Sequence, residues 1–151
     1  GEFTIPVGVA EQLRTGTDIT LVSYGSTLRL VQIAAEKLAT MGINAEIIDV
    51  QSLIPLDKTA IIGASVQKTN RLLIVDEDIP GGGSAYILSQ LLEKQNIYQY
   101  LDSQPMLLTA KEHRPAYGTD GDYFSKPSIE DIVEKVYAMM HEAKPSQFPA
   151  L

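Results

Sequence analysis

Residues 72–85 place an apolar run directly before three acids and a glycine-rich turn. Leu72-Leu73-Ile74-Val75 is followed by Asp76-Glu77-Asp78 and then by Ile79-Pro80-Gly81-Gly82-Gly83-Ser84-Ala85. An apolar run of this length is typical of a strand that is buried on both faces of a parallel sheet. The turn after it then lies at the carboxyl edge of the sheet, where ligands and partners usually bind.

Strand-like and helix-like segments alternate along the rest of the chain. The predicted strands are residues 19–24, 45–50, 71–75 and 106–110, and the predicted helices begin near Ser26, Asp57, Ser84 and Ser128. This alternation predicts an α/β fold of three layers, with a mostly parallel, doubly wound sheet and helices on both faces. We expect the first strand in the centre, the second on one side, and the third and fourth on the other. The loops 25–27 and 77–83 then border the crevice between the first and third strands.

The 151 residues are long enough for one domain with a substantial core, which we place at residues 17–143. Residues 1–16 are predicted to be an arm that leads from an upstream domain, with a short hairpin strand around Ala10–Leu13 as one interpretation of part of it. The start at Gly1 indicates an excised domain. Residues 144–151 contain two prolines and are predicted to be a loose tail.

Composition excludes several classes of function. The chain has no cysteine, which rules out thiolate catalysis and cysteine-bound metal and fits a reducing compartment, and its two histidines argue against a histidine-rich metal site. The apolar runs are far shorter than the ~20 residues of a membrane span. Twelve basic and nineteen acidic residues give a net charge of −7. This charge argues against a nucleic-acid partner and favours a cationic partner or simple solubility.

The glycines Gly81, Gly82 and Gly83 invite a functional interpretation, because backbone N–H groups at a helix start can hold a phosphate. The spaced glycines of a dinucleotide fingerprint and the lysine of a phosphate loop are both absent here. The three acids before the turn also repel phosphate. The preferred interpretation is a structural turn that lets the helix approach the sheet.

Two further segments resemble catalytic patterns. Residues 118–122, Gly-Thr-Asp-Gly-Asp, suggest either a calcium loop or the Gly-Asp-Gly signature of thiamin diphosphate enzymes, but the spacing fails for both, and a solvated turn is preferred. His113 lies between Glu112 and Arg114 and could act as a base. A histidine held by local hydrogen bonds, or one that contacts an adjoining domain, is the preferred interpretation, because the sequence suggests no partnering nucleophile.

Several segments taken together resemble the C-terminal domain of transketolase, in order and in spacing. The resemblance covers about residues 4–141 and is closest to the domain that ends the beta subunit of 2-oxoacid dehydrogenase decarboxylase components. Its most specific pieces are the pattern Asp-x-x-x-Leu-x-Pro-Leu-Asp at residues 49–57 and Ser65-Val66-Gln67-Lys68-Thr69. The other pieces are residues 21–25, 34–38, 42–43, 45–49, 53–57 and 75–77.

The resemblance implies a parent enzyme that decarboxylates a 2-oxoacid on thiamin diphosphate and magnesium and transfers the acyl group to a lipoyl acyltransferase. Pyruvate and branched-chain 2-oxoacids both remain open, with the branched-chain class favoured. The glutamate that activates the cofactor belongs to the preceding pyrimidine-binding domain in this family, and the magnesium and diphosphate ligands belong to the alpha subunit or alpha half. The fragment itself is therefore expected to hold no cofactor and to catalyse nothing. The expected location is the cytoplasm of a bacterium rather than a mitochondrial matrix.

The resemblance also implies partners. Relatives of this domain form homodimers, border the active-site entrance and bind the basic subunit-binding domain of the acyltransferase. Asp102, together with His141 and Glu142, is expected to take part in that docking, and Glu77, Gly81–Gly83 and His113 are expected at the active-site rim or at an interface. Two departures weaken the match: Gln51 stands where relatives often have arginine, and residues 112–124 differ from the usual pattern.

Two rival hypotheses remain. One is the end domain of another thiamin enzyme, either a transketolase or a xylulose-phosphate synthase, since these share the fold. The other is a small nucleotide- or anion-binding module that uses Gly81–Gly83.

Overall fold

The computed structural model describes residues 2–114, 117–118 and 120–150. Five strands are present: β1 (Glu11–Arg14), β2 (Ile19–Ser23), β3 (Ala45–Asp49), β4 (Leu72–Val75) and β5 (Met106–Leu108). The helices are α1 (Thr27–Thr40), α2 (Ile61–Thr69), α3 (Gly83–Lys94), α4 (Gly121–Ser125) and α5 (Ile129–Ala143). A 3₁₀ turn, Ile97–Tyr100, follows α3.

The strands form one sheet in the order β1-β3-β2-β4-β5. β2 is parallel to both β3 and β4, and β4 is parallel to β5. The first predicted strand therefore occupies the centre, and the expected order of the other three is confirmed. All carboxyl ends of these four strands meet at one side of the molecule, which we call the carboxyl edge; the opposite side is the amino edge.

Helices cover both faces of the sheet. Alternate residues of the central strands point to different cores: Leu21, Ile47 and Leu73 pack under α1 and α5. Val22 and Ile48 belong to the second core, to which α2 and α3 contribute. Because both faces are covered, the central strands β2 and β4 are buried throughout, which explains their continuous apolar sequences. The α/β class predicted from the sequence is confirmed.

Helix ends follow the residues that signal them, with one exception. Ser128 caps α5 in a reciprocal pair with Asp131, and Asp57 accepts hydrogen bonds from the backbone N–H groups of Ile61 and Ile62. Asn70 ends α2 in the left-handed conformation. Ser26 precedes α1 but makes no capping bond, since its own backbone is already helical, and its hydroxyl donates to Glu77.

The amino-terminal arm contains a strand close to the one that the sequence suggested around Ala10–Leu13, whereas the carboxyl-terminal tail differs from the expectation. β1 pairs with β3 in antiparallel fashion, so that residues 11–14 of the expected arm form an edge strand of the sheet. At the other end, Phe148 is only 3% exposed and packs edge-on against Tyr137. The tail is tied further by a hydrogen bond from the Tyr137 hydroxyl to the Pro149 carbonyl. The tail is therefore anchored rather than loose, since Phe148 supplies an aromatic side chain that the α1–α5 core can bury, although Pro145, Ser146 and Gln147 are exposed.

Candidate functional site

A buried acid organises the crevice at the carboxyl edge. Asp76, directly after β4, is 1% exposed, and its carboxylate accepts hydrogen bonds from the backbone N–H groups of Asp78 and Ser84 at 3.2 and 2.8 Å. The hydroxyl of Tyr24, which follows β2, is its third partner. Burial raises the pKa of Tyr24, and the hydrogen bond to Asp76 raises it further. The ends of β2 and β4, on either side of the crevice, are thus joined by the neutral phenol of Tyr24 and the carboxyl group of Asp76.

The glycine turn is shaped by this acid rather than by an external anion. Gly82 donates its N–H to the carbonyl of Ile79 at 3.1 Å, which closes the turn. A Cβ on Gly83 would overlap the Tyr24 hydroxyl, so that only glycine allows α3 to approach β2 this closely. The Asp76 carboxylate already occupies the start of α3 through Ser84. These contacts count against an anion-binding module at Gly81–Gly83.

Glu77 connects three elements across the mouth of the crevice. Its carboxylate accepts hydrogen bonds from the Ser26 hydroxyl at 2.8 Å and from the Lys126 ammonium at 3.2 Å. Lys126 also lies 3.6 Å from Asp122 of α4. The hydrogen bonds from Ser26 and Lys126 lower the pKa of Glu77, and Glu77 raises the pKa of Lys126. At neutral pH the pair is therefore ionised and ties α4 to the central strands.

An open cleft of about 350 Å³ lies beside Glu77, between the starts of α1 and α5. Its apolar lining comes from Leu30, Tyr123, Pro127 and Ile129. Sequence reasoning missed both this cleft and Lys126, because residues as far apart in the chain as Ser26 and Glu130 meet there and share no periodicity.

The segment after β5 carries no assembled catalytic group in the part that the structure describes. His113 is exposed, and its Nδ1 donates to the carbonyl of Arg114 at 2.9 Å. Asp120 lies in a turn that leads into the short helix α4, and Asp122 belongs to the first turn of that helix, while Thr119 is outside the described residues. Among those residues no three histidine, aspartate or glutamate side chains are grouped so as to hold a metal ion.

These observations do not fit a thiamin diphosphate and magnesium site within the described residues. The glycine turn is closed by its own acid, and the acids near it are bound to Ser26, Lys126 and backbone amides. We therefore assign no chemical step on the cofactor to this chain.

No helix in the described range is both long and apolar enough to cross a bilayer.

The residues expected to dock a partner lie at the amino edge. Asp102 forms an ion pair with Arg71 at 2.6 Å, and Arg71 also donates to the carbonyl of Asp18 at 3.3 Å. Lys144, just past α5, reaches the Asp18 carboxylate at 3.3 Å. This chain of contacts brings Asp102 to the same edge as the end of α5, where Glu142 is exposed.

His141 is held on the tail rather than on the carbonyls of its own helix. Its Nδ1 donates to the carbonyl oxygen of Phe148 at 2.7 Å. One ring nitrogen of His141 therefore holds the tail, and Nε2 is the nitrogen left for another partner.

Exposed apolar side chains concentrate at the carboxyl edge. Ile54 and Ile79 follow β3 and β4, and they are 80% and 51% exposed. The segment before β1 also lies here, because β1 runs antiparallel to β3. We call this group the carboxyl-edge apolar face; it consists of Phe3, Ile5, Val7, Ile54, Ile79, Tyr117, Tyr123 and Phe124.

Comparison with known proteins gives a consistent family. The model of the transketolase C-terminal domain matches residues 8–126. The chain is 38% identical over 132 residues to the pyruvate dehydrogenase E1 component subunit beta-1, mitochondrial, of Arabidopsis thaliana, covering 87% of this chain and 36% of the relative. It is 31% identical over 141 residues to the corresponding subunit beta of Rhizobium meliloti, covering 93% of this chain and 30% of the relative.

Two solved structures share the fold. A split gene transketolase, described as an inactive beta4 tetramer, superposes with a TM-score of 0.72 at 22% identity over 91% of this chain and 43% of that chain. A 2-oxoglutarate:ferredoxin oxidoreductase from Magnetococcus marinus gives a TM-score of 0.55 at 19% identity, over 85% of this chain and 19% of that one. The chain spans only about a third of the length of the curated relatives it matches. By sequence and by fold, it belongs to the transketolase C-terminal domain family.

Proposed function

We propose that this domain is the C-terminal assembly domain of a beta subunit, or of a fused alpha–beta chain, in a thiamin-diphosphate-dependent 2-oxoacid dehydrogenase. The domain contributes dimerisation and acyltransferase docking, and it catalyses nothing by itself. The cofactor and its magnesium belong to the upstream pyrimidine-binding domain and to the alpha subunit or alpha half. The names of the reported curated relatives specify pyruvate, which favours pyruvate over a branched-chain 2-oxoacid. These relatives come from mitochondria and from a bacterium, and the bacterial cytoplasm remains our proposal for location.

The carboxyl-edge apolar face is the observation that carries this proposal. Monomeric proteins rarely leave many large apolar side chains exposed on one side. With aromatic residues contributing about 150–250 Å² each when buried, this face could cover on the order of 1,000 Å², and a standard interface needs about 800 Å² per partner. We assign the face to contact with a second copy of the domain. Glu77, Gly81–Gly83 and His113 lie among or beside these side chains and would border the same interface.

The amino edge has the opposite character and suits the docking half of the proposal. Asp102 is half exposed although it is paired with Arg71, and Glu142 is exposed. The chain as a whole carries a charge of −7. A small basic subunit-binding domain would be steered toward such a surface and oriented by it.

Calorimetric titration tests the docking half. We expect the subunit-binding domain of a lipoyl acyltransferase to bind saturably, and more weakly at higher salt. Glu142→Gln should weaken binding roughly two- to fivefold, the usual range for a rim charge. Glu112→Gln, an exposed acid after β5 at the carboxyl edge, is the matched control and should leave affinity unchanged. Equal losses in both variants, or the absence of binding, would argue against docking at the amino edge.

The rival assignments are distinguished by what binds. A transketolase or a xylulose-phosphate synthase end domain would still pair with a second copy but would not bind the subunit-binding domain. Heat from a titration with thiamin diphosphate and Mg²⁺ would contradict the assignment of the cofactor to other parts of the parent enzyme.

A further inference from the structure

A second cleft, of about 380 Å³, lies between β1 and α1 and shares Arg29 with the cleft beside Glu77. Arg29, Gln32, Ile33 and Glu36 line one wall. Their spacing of three and four residues puts them on one face of α1. The other wall and the floor are formed by Leu13, Arg14 and Ile47. We call this the arginine cleft.

A β-bulge places Arg14 in this cleft. Gln12 pairs with Ile48, but the register shifts before Arg14, which pairs with Ile47. Cross-strand partners share a face of the sheet, so Gln12 lies on the α2 face while Arg14 lies on the α1 face. In a regular strand, residues 12 and 14 would share a face. The irregularity therefore turns a second guanidinium toward the side on which Arg29 lies.

Neither arginine is neutralised within the described part of the chain. No carboxylate there lies within salt-bridge distance of Arg14 or Arg29, including Glu36, which lines the far end of the same cleft. The Nε of Arg14 is buried and has no hydrogen-bond partner. A buried donor without an acceptor is costly, and such groups in native proteins usually have a partner. The chain as a whole is acidic, with a net charge of −7, so that two arginines without a carboxylate partner in one cleft depart from its overall charge.

We propose that the arginine cleft binds a small organic oxyanion, either a carboxylate or a phosphate monoester. The anionic oxygens would accept hydrogen bonds from the guanidinium groups of Arg14 and Arg29, whose planar fork matches both kinds of anion. The organic part would lie on Leu13, Ile33 and Ile47. This site does not depend on the proposed assembly function, since it uses neither the carboxyl-edge apolar face nor the docking residues of the amino edge.

Titration followed by ¹H–¹⁵N chemical shifts tests the proposal, with phenyl phosphate and benzoate as the anionic probes and phenol as the neutral one. At constant ionic strength, at least one anion should shift the amides of residues 13–14 and 29–36 saturably, and phenol should not. Arg14→Gln and Arg29→Gln should each weaken this binding about tenfold, the loss expected for one charge-assisted pair. Arg29 is exposed, so that its variant keeps the test informative even if the Arg14 variant is unstable.

Lys94→Gln is the matched control, because it removes one positive charge from the exposed end of α3 on the other face of the sheet. Its affinity for the probes should equal that of the unmodified chain. The proposal is overturned if neither anion binds, if phenol binds equally well, or if Lys94→Gln weakens binding as much as the two arginine variants. Comparison of the affinities for phenyl phosphate and for benzoate identifies which oxyanion the cleft prefers.

Discussion

At the scale of single residues, Gly83 and Tyr24 show how closely the carboxyl-edge crevice is packed. The start of α3 passes so near the Tyr24 hydroxyl that a side chain at Gly83 has no room. The φ angle of Gly83 is not in the left-handed region, so close approach, rather than backbone conformation, requires glycine here. The glycine run predicted a structural turn here, but nothing in the sequence indicated that the close contact would be with Tyr24.

Gly83→Ala should destabilise the domain by about 1–3 kcal/mol, the usual cost of overpacking. The first atom in conflict is the Tyr24 hydroxyl oxygen, so Tyr24→Phe should remove part of that cost. We therefore expect the double variant to be more stable than the sum of the two single effects predicts. Urea unfolding of the four proteins measures this coupling. Strict additivity would show that the conflict does not involve Tyr24.

Glu46 is the other residue with a distinctive environment, since it is a carboxylate that is only 2% exposed. Burial alone would raise its pKa, but hydrogen bonds from Lys68, Ser65 and the Gly16 N–H outweigh burial and lower the pKa of Glu46 below 4.5. A lowered pKa in the folded state means that the contribution to stability is present above pH 4.5 and is lost as the pH falls through the folded value.

Glu46→Gln should therefore cost about 1–2 kcal/mol at neutral pH, because Lys68 and the Gly16 N–H lose a charged acceptor. The difference from the unmodified protein should shrink as the pH falls below 4.5. Free energies of urea unfolding at a series of pH values measure it. The exposed Glu93→Gln serves as a control with a small and constant difference; a Glu46→Gln difference that is constant or grows in acid would refute this account.

At the scale of secondary structure, two helices begin at a serine, and only one of these serines caps its helix. Ser128 and Asp131 exchange hydrogen bonds with each other's backbone N–H groups. The hydroxyl of Ser26 donates a hydrogen bond to Glu77 and caps no backbone N–H group. The sequence predicts both serines as caps, but Ser128 is followed three residues later by Asp131 and Ser26 by Arg29. The backbone of Ser26 is also helical, which does not suit a capping residue.

Ser128→Ala should cost about 1 kcal/mol in the free energy of unfolding, the typical loss for a capping side chain. Ser26→Ala should change it by only a few tenths of a kcal/mol, since it removes an exposed hydrogen bond. Urea unfolding of both variants provides the comparison. Equal losses would show that the hydroxyl of Ser26 stabilises α1 as much as a cap does.

The regular elements could be predicted because their signals are local. A few consecutive residues are enough to predict the buried runs of β2, β3 and β4 and the apolar stripe of α5. The departures come from long-range contacts. Phe148 is packed because Tyr137 and the α1–α5 core accept it, and Gly121 and Asp122, expected in a turn, begin the short helix α4. The Glu77–Lys126 pair and the arginine cleft had no local signal, since tertiary structure alone brings their residues together.

At the scale of the whole molecule, the two edges of the sheet differ in chemistry. Charged side chains are paired with one another at the amino edge, through Arg71, Asp102, Asp18 and Lys144. Large apolar side chains are exposed at the carboxyl edge. Such a division fits a domain that joins two different neighbours, one across an apolar contact and the other across a polar one.

Sedimentation equilibrium tests whether the carboxyl-edge apolar face pairs two copies of the chain. We expect a dimer for the unmodified chain. Ile54→Glu should produce a folded monomer, because it would bury a charge in the carboxyl-edge contact. Tyr98→Glu changes a side chain that is 66% exposed, in the turn before β5 at the amino edge, and should remain a dimer. A monomeric unmodified chain, or an Ile54→Glu variant that dimerises as well as Tyr98→Glu does, would contradict the claim.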